Sequence, residues 1–214
     1  MNQQPSAQRV GMFGGAFDPP HAAHRALAQA ALQQLRLDVL HILPTGLAWH
    51  KSRTLSAAEH RVTMCERAFA DLPGVRIDLR EIHRAGPSYT ADTLAELNAE
   101  YPGAELFLML GADQLLAFRS WVRWDEVLRL ARLAVANRPI NLGANNASTP
   151  AVETDLSAVD LPFVRLDMPL QATSSTAIRA HVHGQSRRYP DLDVLVPEGV
   201  ARYISEHHLY ESPT

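Results

Sequence analysis

The sequence predicts an α/β fold, an open and mostly parallel sheet with helices on both faces. Three observations carry this. Short apolar runs alternate along the chain with longer segments patterned for helix. The run ELFLMLG at 105–111 is nearly all apolar, as a central parallel strand is when helices cover both its faces. Apolar residues make up 46% of the 214, enough for a sizeable core.

In chain order, strands are expected at RVGMFG, DVLHILP, VRIDL, ELFLMLG, RLAVANRP and FVRLDM. Helices are expected at 20–35, 56–71, 90–100 and 112–130, and two more follow the last strand, at 175–183 and 197–208. Such alternation implies right-handed crossovers between parallel strands. No internal repeat is present. The length suits a single domain over 1–214, with a small helical portion from about 174. One segment is compositionally odd: INLGANNASTPAVETDLSAVD, 140–160, is small and polar and reads as a mobile surface loop or insertion.

Composition excludes several classes of function. A net charge of -3 gives no electrostatic reason to expect duplex nucleic acid or an anionic membrane. The single cysteine, Cys65, rules out an internal disulfide and fits a reducing compartment; inside an amphipathic helix it reads as a small core residue. No stretch approaches the ~20 apolar residues of a membrane span. The opening MNQQPSAQR has no apolar signal-peptide core, so a cytosolic, cytoplasmic protein is expected.

In an open α/β sheet, ligands sit beyond the carboxyl ends of the strands, so the residues after each strand matter most. The first strand is followed by GGAFDPPHAAH, 14–24. Gly14 and Gly15 would let backbone approach a ligand and take conformations a side chain forbids. Asp18 is a good N-cap, and Pro19 or Pro20 suits a first helical turn. His21 and His24 would then share one face of that turn, beside unpaired N–H groups and the positive end of the helix dipole. This is an anion site in outline. A zinc site would need further ligands that neither a cysteine pair nor an HExxH supplies. Two histidines merely capping the helix remain an alternative. The glycines fit neither a P-loop nor G-x-G-x-x-G, and Asp38 precedes the second strand instead of ending it.

Near the other end stands QATSSTAIRAHVHG, 171–184. Ser174 or Ser175 can cap a helix that Gly184 would end. Its first turn holds no acid and adds Arg179, so hydroxyls, amides and a guanidinium gather at one helix start as a phosphate cradle. A plain capped surface helix is the other reading. The loop PTGLAWHKSRTLS contains Lys51, the only lysine in the chain, which is either a solvated charge or a basic clamp over an anion.

GGAFDPPHAAH together with SSTAIR resembles the paired signature of the nucleotidyltransferase superfamily, in short HxGH and SSTxIR. GPSYTADTL at 86–94, LGADQLLAFRSWVRW at 110–124 and ANRP at 136–139 narrow the resemblance to bacterial nicotinate-nucleotide adenylyltransferases. The likeness runs from about residue 9 to the final helix. Two positions depart from the pattern: Ala23 replaces a glycine between the histidines, and Thr173 replaces the isoleucine before SST. Nothing carries over to 140–160.

The resemblance implies a Rossmann-like nucleotidyltransferase fold and adenylyl transfer from ATP to nicotinic acid mononucleotide, giving deamido-NAD and pyrophosphate in NAD biosynthesis. The attacking phosphate is already ionised, so positioning and charge stabilisation suffice, without a general base. It also implies roles. His21 and His24, with Arg179, would act on the transferring phosphate, beside the amides of Gly14, Gly15, Ala16 and Phe17. Ser174, Ser175, Thr176 and Arg179 would hold the β- and γ-phosphates, and Lys51, Gly111 and Arg138 would complete the ATP side. Thr45, Tyr89, Thr90, Asp113 and Trp121 would face the mononucleotide: Tyr89 and Thr90 through helix-start amides, Asp113 at a ribose hydroxyl, Trp121 by stacking. Trp121 is equally readable as core, and Trp124 is assigned to the core. Mg²⁺ would bridge triphosphate oxygens and stay mostly water-coordinated, without an all-protein cage. Other acceptors (nicotinamide mononucleotide, phosphopantetheine, FMN) and a non-catalytic nucleotide sensor stay open as alternatives, as does oligomeric state.

Overall fold

The computed structural model describes residues 7–46, 55–136, 139–140, 152–169, 173–183 and 192–211. The elements run β1 (Arg9–Gly15), α1 (Ala22–Gln34), β2 (Val39–Pro44), α2 (Ala58–Phe69), β3 (Val75–Ile77), α3 (Arg80–His83) and α4 (Thr90–Glu100). They continue with β4 (Glu105–Gly111), α5 (Ala112–Leu116), a 3₁₀ turn (Phe118–Ser120), α6 (Trp124–Leu130), β5 (Arg132–Ala136) and β6 (Pro139–Ile140). Then come β7 (Val152–Glu153), β8 (Phe163–Leu166), α7 (Ser175–His183), α8 (Leu192–Leu195) and α9 (Glu198–Glu206).

Six strands form one sheet in the order β3-β2-β1-β4-β5-β8, and every neighbouring pair is parallel. Each expected strand is present. The period-two alternation sorts their side chains between two cores. Phe13, Leu40, Ile42, Phe107, Met109, Ala134 and Leu166 face α1, α2, α7, α8 and α9. Val10, Met12, Val39, Leu43, Leu106, Leu108, Leu110, Leu133 and Val135 face α4, α5 and α6. A sheet buried on both faces explains why ELFLMLG has no polar alternation. Among the described residues no helix is long and apolar enough to cross a membrane.

Three expectations change. The helix expected over 112–130 is broken into α5, the 3₁₀ turn and α6, because Arg123 takes a left-handed φ of 57° as the N-cap of α6. Ser120 Oγ donates to the Ala117 carbonyl, and Arg119 donates to the Asp160 carbonyl, which hold the turn. Within 140–160, β6 and β7 pair antiparallel, Pro139 with Glu153 and Ile140 with Val152; residues 141–151 lie outside the described residues. Two short helices, α3 and α8, were not anticipated.

The strand order fixes where a ligand can enter. The chain winds outward from β1 through β2 to β3, then returns to the other side of β1 with β4, which opens a crevice beyond the ends of β1 and β4. Met12 pairs with Leu108; carried forward along the strands, that register sets Gly15 level with Gly111. The opposite edge is closed by charge. Arg9 reaches Glu105 (2.7 Å), which also takes Arg132 (2.5 Å), and the Arg9 amide donates to Asp38 (2.7 Å). Asp38 therefore braces the amino edge, away from the crevice.

Candidate active site

The loop from Gly14 to His21 leaves β1 at the crevice. Neither Gly14 nor Gly15 takes a left-handed conformation, contrary to the expectation above; Phe17 does, with φ 47°. A bulky residue there costs about 1–2 kcal/mol and holds only because its surroundings fix it. Phe17 is 1% exposed and meets Phe13, His24 and Phe69 edge-on, at 5.3, 5.0 and 6.2 Å between ring centres. Gly15 makes room for that ring: a Cβ there would lie 3.2 Å from it. A Cβ on Gly14 would meet only the tip of Met12, at 3.9 Å, so Gly14 leaves open space.

Asp18 does not cap α1; His21 does, and both prolines precede the helix. The His21 amide donates to His24 Nδ1 (3.2 Å), so the neutral His24 ring carries its proton on Nε2 and can donate from there. The two rings stack, 3.7 Å between centres. The first intrahelical bond runs from the Arg25 amide to the His21 carbonyl, which leaves the Ala22 and Ala23 amides beyond the reach of the helical ladder.

α7 begins against this loop. Ser174 Oγ accepts from the Ala177 amide (3.2 Å) and is the capping hydroxyl. Ser175 Oγ donates to the Pro19 carbonyl (2.9 Å). Arg179 donates to the Asp18 carbonyl (2.7 Å) and to Thr176 Oγ1 (3.1 Å). The two segments singled out in the sequence, 150 residues and more apart, thus meet. Their shared electrostatic character is visible across the fold. Among the described helices, α1 and α7 have no acid in the first turn, whereas α2 to α6, α8 and α9 all have one. An anion at these two starts meets unopposed helix dipoles.

Sequence reasoning missed the side chains behind the loop. Arg61 of α2 is 3% exposed and donates to the carbonyls of Ser56 (3.0 Å), Ala16 (3.1 Å) and Thr45 (2.8 Å). A trans peptide sets N–H opposite C=O, so binding the Ala16 carbonyl turns the Phe17 amide away from Arg61. The buried Asp18 carboxylate accepts from the Ser56 amide (3.2 Å) and from the Tyr210 hydroxyl (2.7 Å). Arg61 did carry a signal: it lies on the apolar stripe of α2 with Met64, Cys65 and Ala68. Burial pushes the Cys65 thiol far up, which leaves it an inert core residue as expected.

On the far side of β1, the Thr45 amide donates to the Gly15 carbonyl (2.8 Å), joining the ends of β1 and β2. Gly46 follows so close to α3 that a Cβ would lie 2.0 Å from the Glu81 carbonyl oxygen. Glu81 is buried, its carboxyl pushed up by burial although Thr93 of α4 donates to it (3.0 Å). Tyr89 caps α4 as expected, and its carbonyl takes the Asp92 amide (3.0 Å), leaving the Thr90 and Ala91 amides outside the ladder. Here the first turn does hold an acid, Asp92, but Arg123 of the α6 cap pairs with it and reaches over the Tyr89 ring, 5.8 Å from its centre. Next to Tyr89, Ser88 Oγ is buried without a hydrogen-bond partner among the described residues.

Trp121 is half-buried, its ring 5.4 Å from that of Phe118. Trp124 packs against the same core under Arg119, whose guanidinium lies 5.2 Å from its ring centre. Asp113 is exposed at the start of α5 with Gln114 on its carboxylate (3.3 Å), two residues past Gly111. Lys51, Arg138 and Gly184 lie outside the described residues.

The family model described as Cytidylyltransferase-like matches residues 12–181. A protein of Albidiferax ferrireducens named "Probable nicotinate-nucleotide adenylyltransferase" is 50% identical over 206 residues, 96% of this chain and 99% of that protein. One of Methylibium petroleiphilum with the same name is 42% identical over 213 residues, covering 100% and 97%. In fold, the chain is similar to a Plasmodium falciparum nicotinic acid mononucleotide adenylyltransferase complexed with APC, with a TM-score of 0.74, 16% identity, and 95% and 97% of the two chains covered. The paired helix starts, and the loop between them, thus belong to a chain that is a member of the Cytidylyltransferase-like family and, among its members, of the nicotinate-nucleotide adenylyltransferases.

Proposed function

We propose that this chain transfers the adenylyl group of ATP to nicotinic acid mononucleotide. A phosphate oxygen of the mononucleotide attacks the α-phosphorus, the bond to the bridging oxygen breaks, and pyrophosphate leaves with that oxygen; the product is deamido-NAD. The observation that carries the ATP half is the meeting of the two acid-free helix starts on one loop. The family membership carries the acceptor.

His24 donates from Nε2 to phosphoryl oxygen, and His21 stacks beside it and fixes its ring. The amides of Ala22, Ala23 and Phe17 add fixed donors that cost no reorganisation during the reaction. Ser174 and Thr176 serve the β- and γ-phosphates, and by family membership Lys51, Gly111 and Arg138 are assigned to ATP as well. Arg179 holds the loop and turns further guanidinium N–H groups to phosphate, while Ser175, whose one hydroxyl hydrogen goes to the Pro19 carbonyl, offers its backbone amide. The acceptor lies between Thr45, Asp113 and α4, its carboxylate on the Thr90 and Ala91 amides and its pyridine ring on Trp121. The Arg123–Asp92 pair cancels the one acid that would oppose that carboxylate.

The donors at both helix starts are imidazole, hydroxyl, guanidinium and N–H, a set that suits phosphate oxygens and lacks the carboxylate oxygens that hold Mg²⁺. Mg²⁺ therefore fits as part of the ATP substrate, where it neutralises triphosphate charge. A cytoplasmic location and a single functional domain over 1–214 belong to the same reading.

The test is pyrophosphate release from ATP and Mg²⁺ with three acceptors in turn: nicotinic acid mononucleotide, nicotinamide mononucleotide and phosphopantetheine. Release that is fast with the first alone is expected. Release with another acceptor overturns the acceptor half, and none with any overturns the reaction.

A further inference from the structure

We propose that Tyr210 is a positioning residue for the phosphate-binding loop, acting through Asp18; the proposal deepens the ATP half of the function above and rests on it.

Asp18 sits at the centre of the loop and is 0% exposed. A buried carboxylate needs donors, and the chain beside it has few to give, since Pro19 and Pro20 carry no N–H. The donors come from far away. Ser56, just before α2, supplies an amide to Oδ2, and Tyr210, beyond α9, supplies a hydroxyl to Oδ1. The backbone at the same point is held from α7, Arg179 on the Asp18 carbonyl and Ser175 on the Pro19 carbonyl. The loop between Phe17 and His21 is thus fixed by three separate segments, and it leads directly into His21, His24 and the α1 amides.

Tyr210 is built for this contact. The chain after α9 turns twice through left-handed residues, His208 (φ 51°) and Tyr210 itself (φ 68°). Its ring packs at the margin of the core around α2, so a phenylalanine would keep the packing and lose only the hydroxyl. Apart from Asp18, the hydroxyl meets the side chain of Ser56, the residue whose amide also reaches Asp18, and the Met64 sulfur at 3.9 Å, a weak contact. Burial and the neighbouring Asp18 carboxylate push the Tyr210 hydroxyl well above its ordinary range, so it stays a donor.

The experiment is Tyr210→Phe, with ATP affinity read by titration calorimetry and steady-state turnover read alongside. The dissociation constant for ATP is expected to rise about tenfold and the KM for nicotinic acid mononucleotide to stay within about twofold, the loss of one hydrogen bond to a charged group. Tyr203→Phe is the control. It removes a hydroxyl from the same α2–α9 contact, where Tyr203 meets His60 (3.0 Å), without touching the loop. ATP affinity should not change in it, even if its melting temperature falls as far. Unchanged ATP affinity in Tyr210→Phe, or equal losses in both variants, overturns the proposal.

Should Tyr210→Phe fail to fold, Asp18→Ala, which leaves position 18 no side-chain acceptor, is compared with Asp18→Ala/Tyr210→Phe. Equal ATP affinities are expected, since the hydroxyl acts through the carboxylate, and unequal ones overturn it. A wild-type protein that binds ATP but releases no pyrophosphate with the mononucleotide removes the acceptor reading and leaves this one intact.

Discussion

The two ends of the crevice, the one we propose for ATP and the one we propose for the acceptor, are built on different principles. At the ATP end, Asp18, His21 and Arg61 are 0%, 1% and 3% exposed, and the loop is held by segments from three parts of the chain. At the acceptor end, the charges at the start of α4 stand at the surface: the Arg123 and Asp92 side chains are 39% and 40% exposed. The first is a rigid frame that aims donors at a charge in transit, where a misplacement of about 1 Å costs ~10²-fold in rate. On that proposal the second selects a partner, and exposed pairs can be retuned at little cost in stability. Arg61 ties the two, one guanidinium on the Ala16 and Thr45 carbonyls.

The sharpest way to break this contrast is His24→Ala, which should lower kcat for pyrophosphate release by about 10²–10³ while the protein keeps its fold. Near-normal turnover would show that the stacked histidines are only a helix cap. Arg61→Lys comes next. A lysine keeps the charge but cannot fork to three carbonyls, so a loss of about 2–3 kcal/mol in stability and a fall of about tenfold in kcat are expected, by urea unfolding and initial rates. A change in acceptor KM alone would place Arg61 with the selecting end. Trp121→Ala should do what Arg61→Lys does not. It raises the mononucleotide KM about tenfold and leaves ATP affinity alone, the worth of one ring stacked on an aromatic side chain. An unchanged KM returns Trp121 to the core.

The smallest effect concerns the brace under the acceptor end. Asp78, just past β3, takes His41 (2.8 Å) and Arg80 (2.7 Å), and Arg80 continues to Glu100 of α4 (2.7 Å). Burial alone would raise the Asp78 carboxyl, but hydrogen bonds from His41 and Arg80 outweigh it and hold it far below its ordinary value. As pH falls, the unfolded chain takes up this proton first. The contribution is therefore complete near neutrality and is lost below about pH 4. Asp78→Asn should lower stability by about 1–2 kcal/mol at neutral pH, with a gap to wild type that closes toward pH 3. A gap independent of pH would show that Asp78 matters by shape and not by charge.

Local signals account for what the sequence made legible. All six strands of the main sheet, and α4 and α7 to the residue, follow from periodicity and helix starts, which depend on neighbours within a turn or two. So does the absence of acids at α1 and α7. The break at Arg123 was not legible, because nothing among its neighbours marks a left-handed residue and the partner of its side chain, Asp92, lies 31 positions earlier. Asp18 was misread for the same reason. Its sequence context is that of an N-cap, and only the partners brought by α2 and the segment after α9 turn it inward.

That last contact also sets an order of events in the cell. Asp18 and Tyr210 are separated by 192 residues. A ribosome adding about 5–20 residues per second takes roughly 10–40 s to travel between them. The loop proposed to grip phosphate is among the first segments to emerge and among the last to be finished. A nascent chain can pair its strands before then, yet on the proposal above the loop lacks one of its braces until translation has reached the tyrosine.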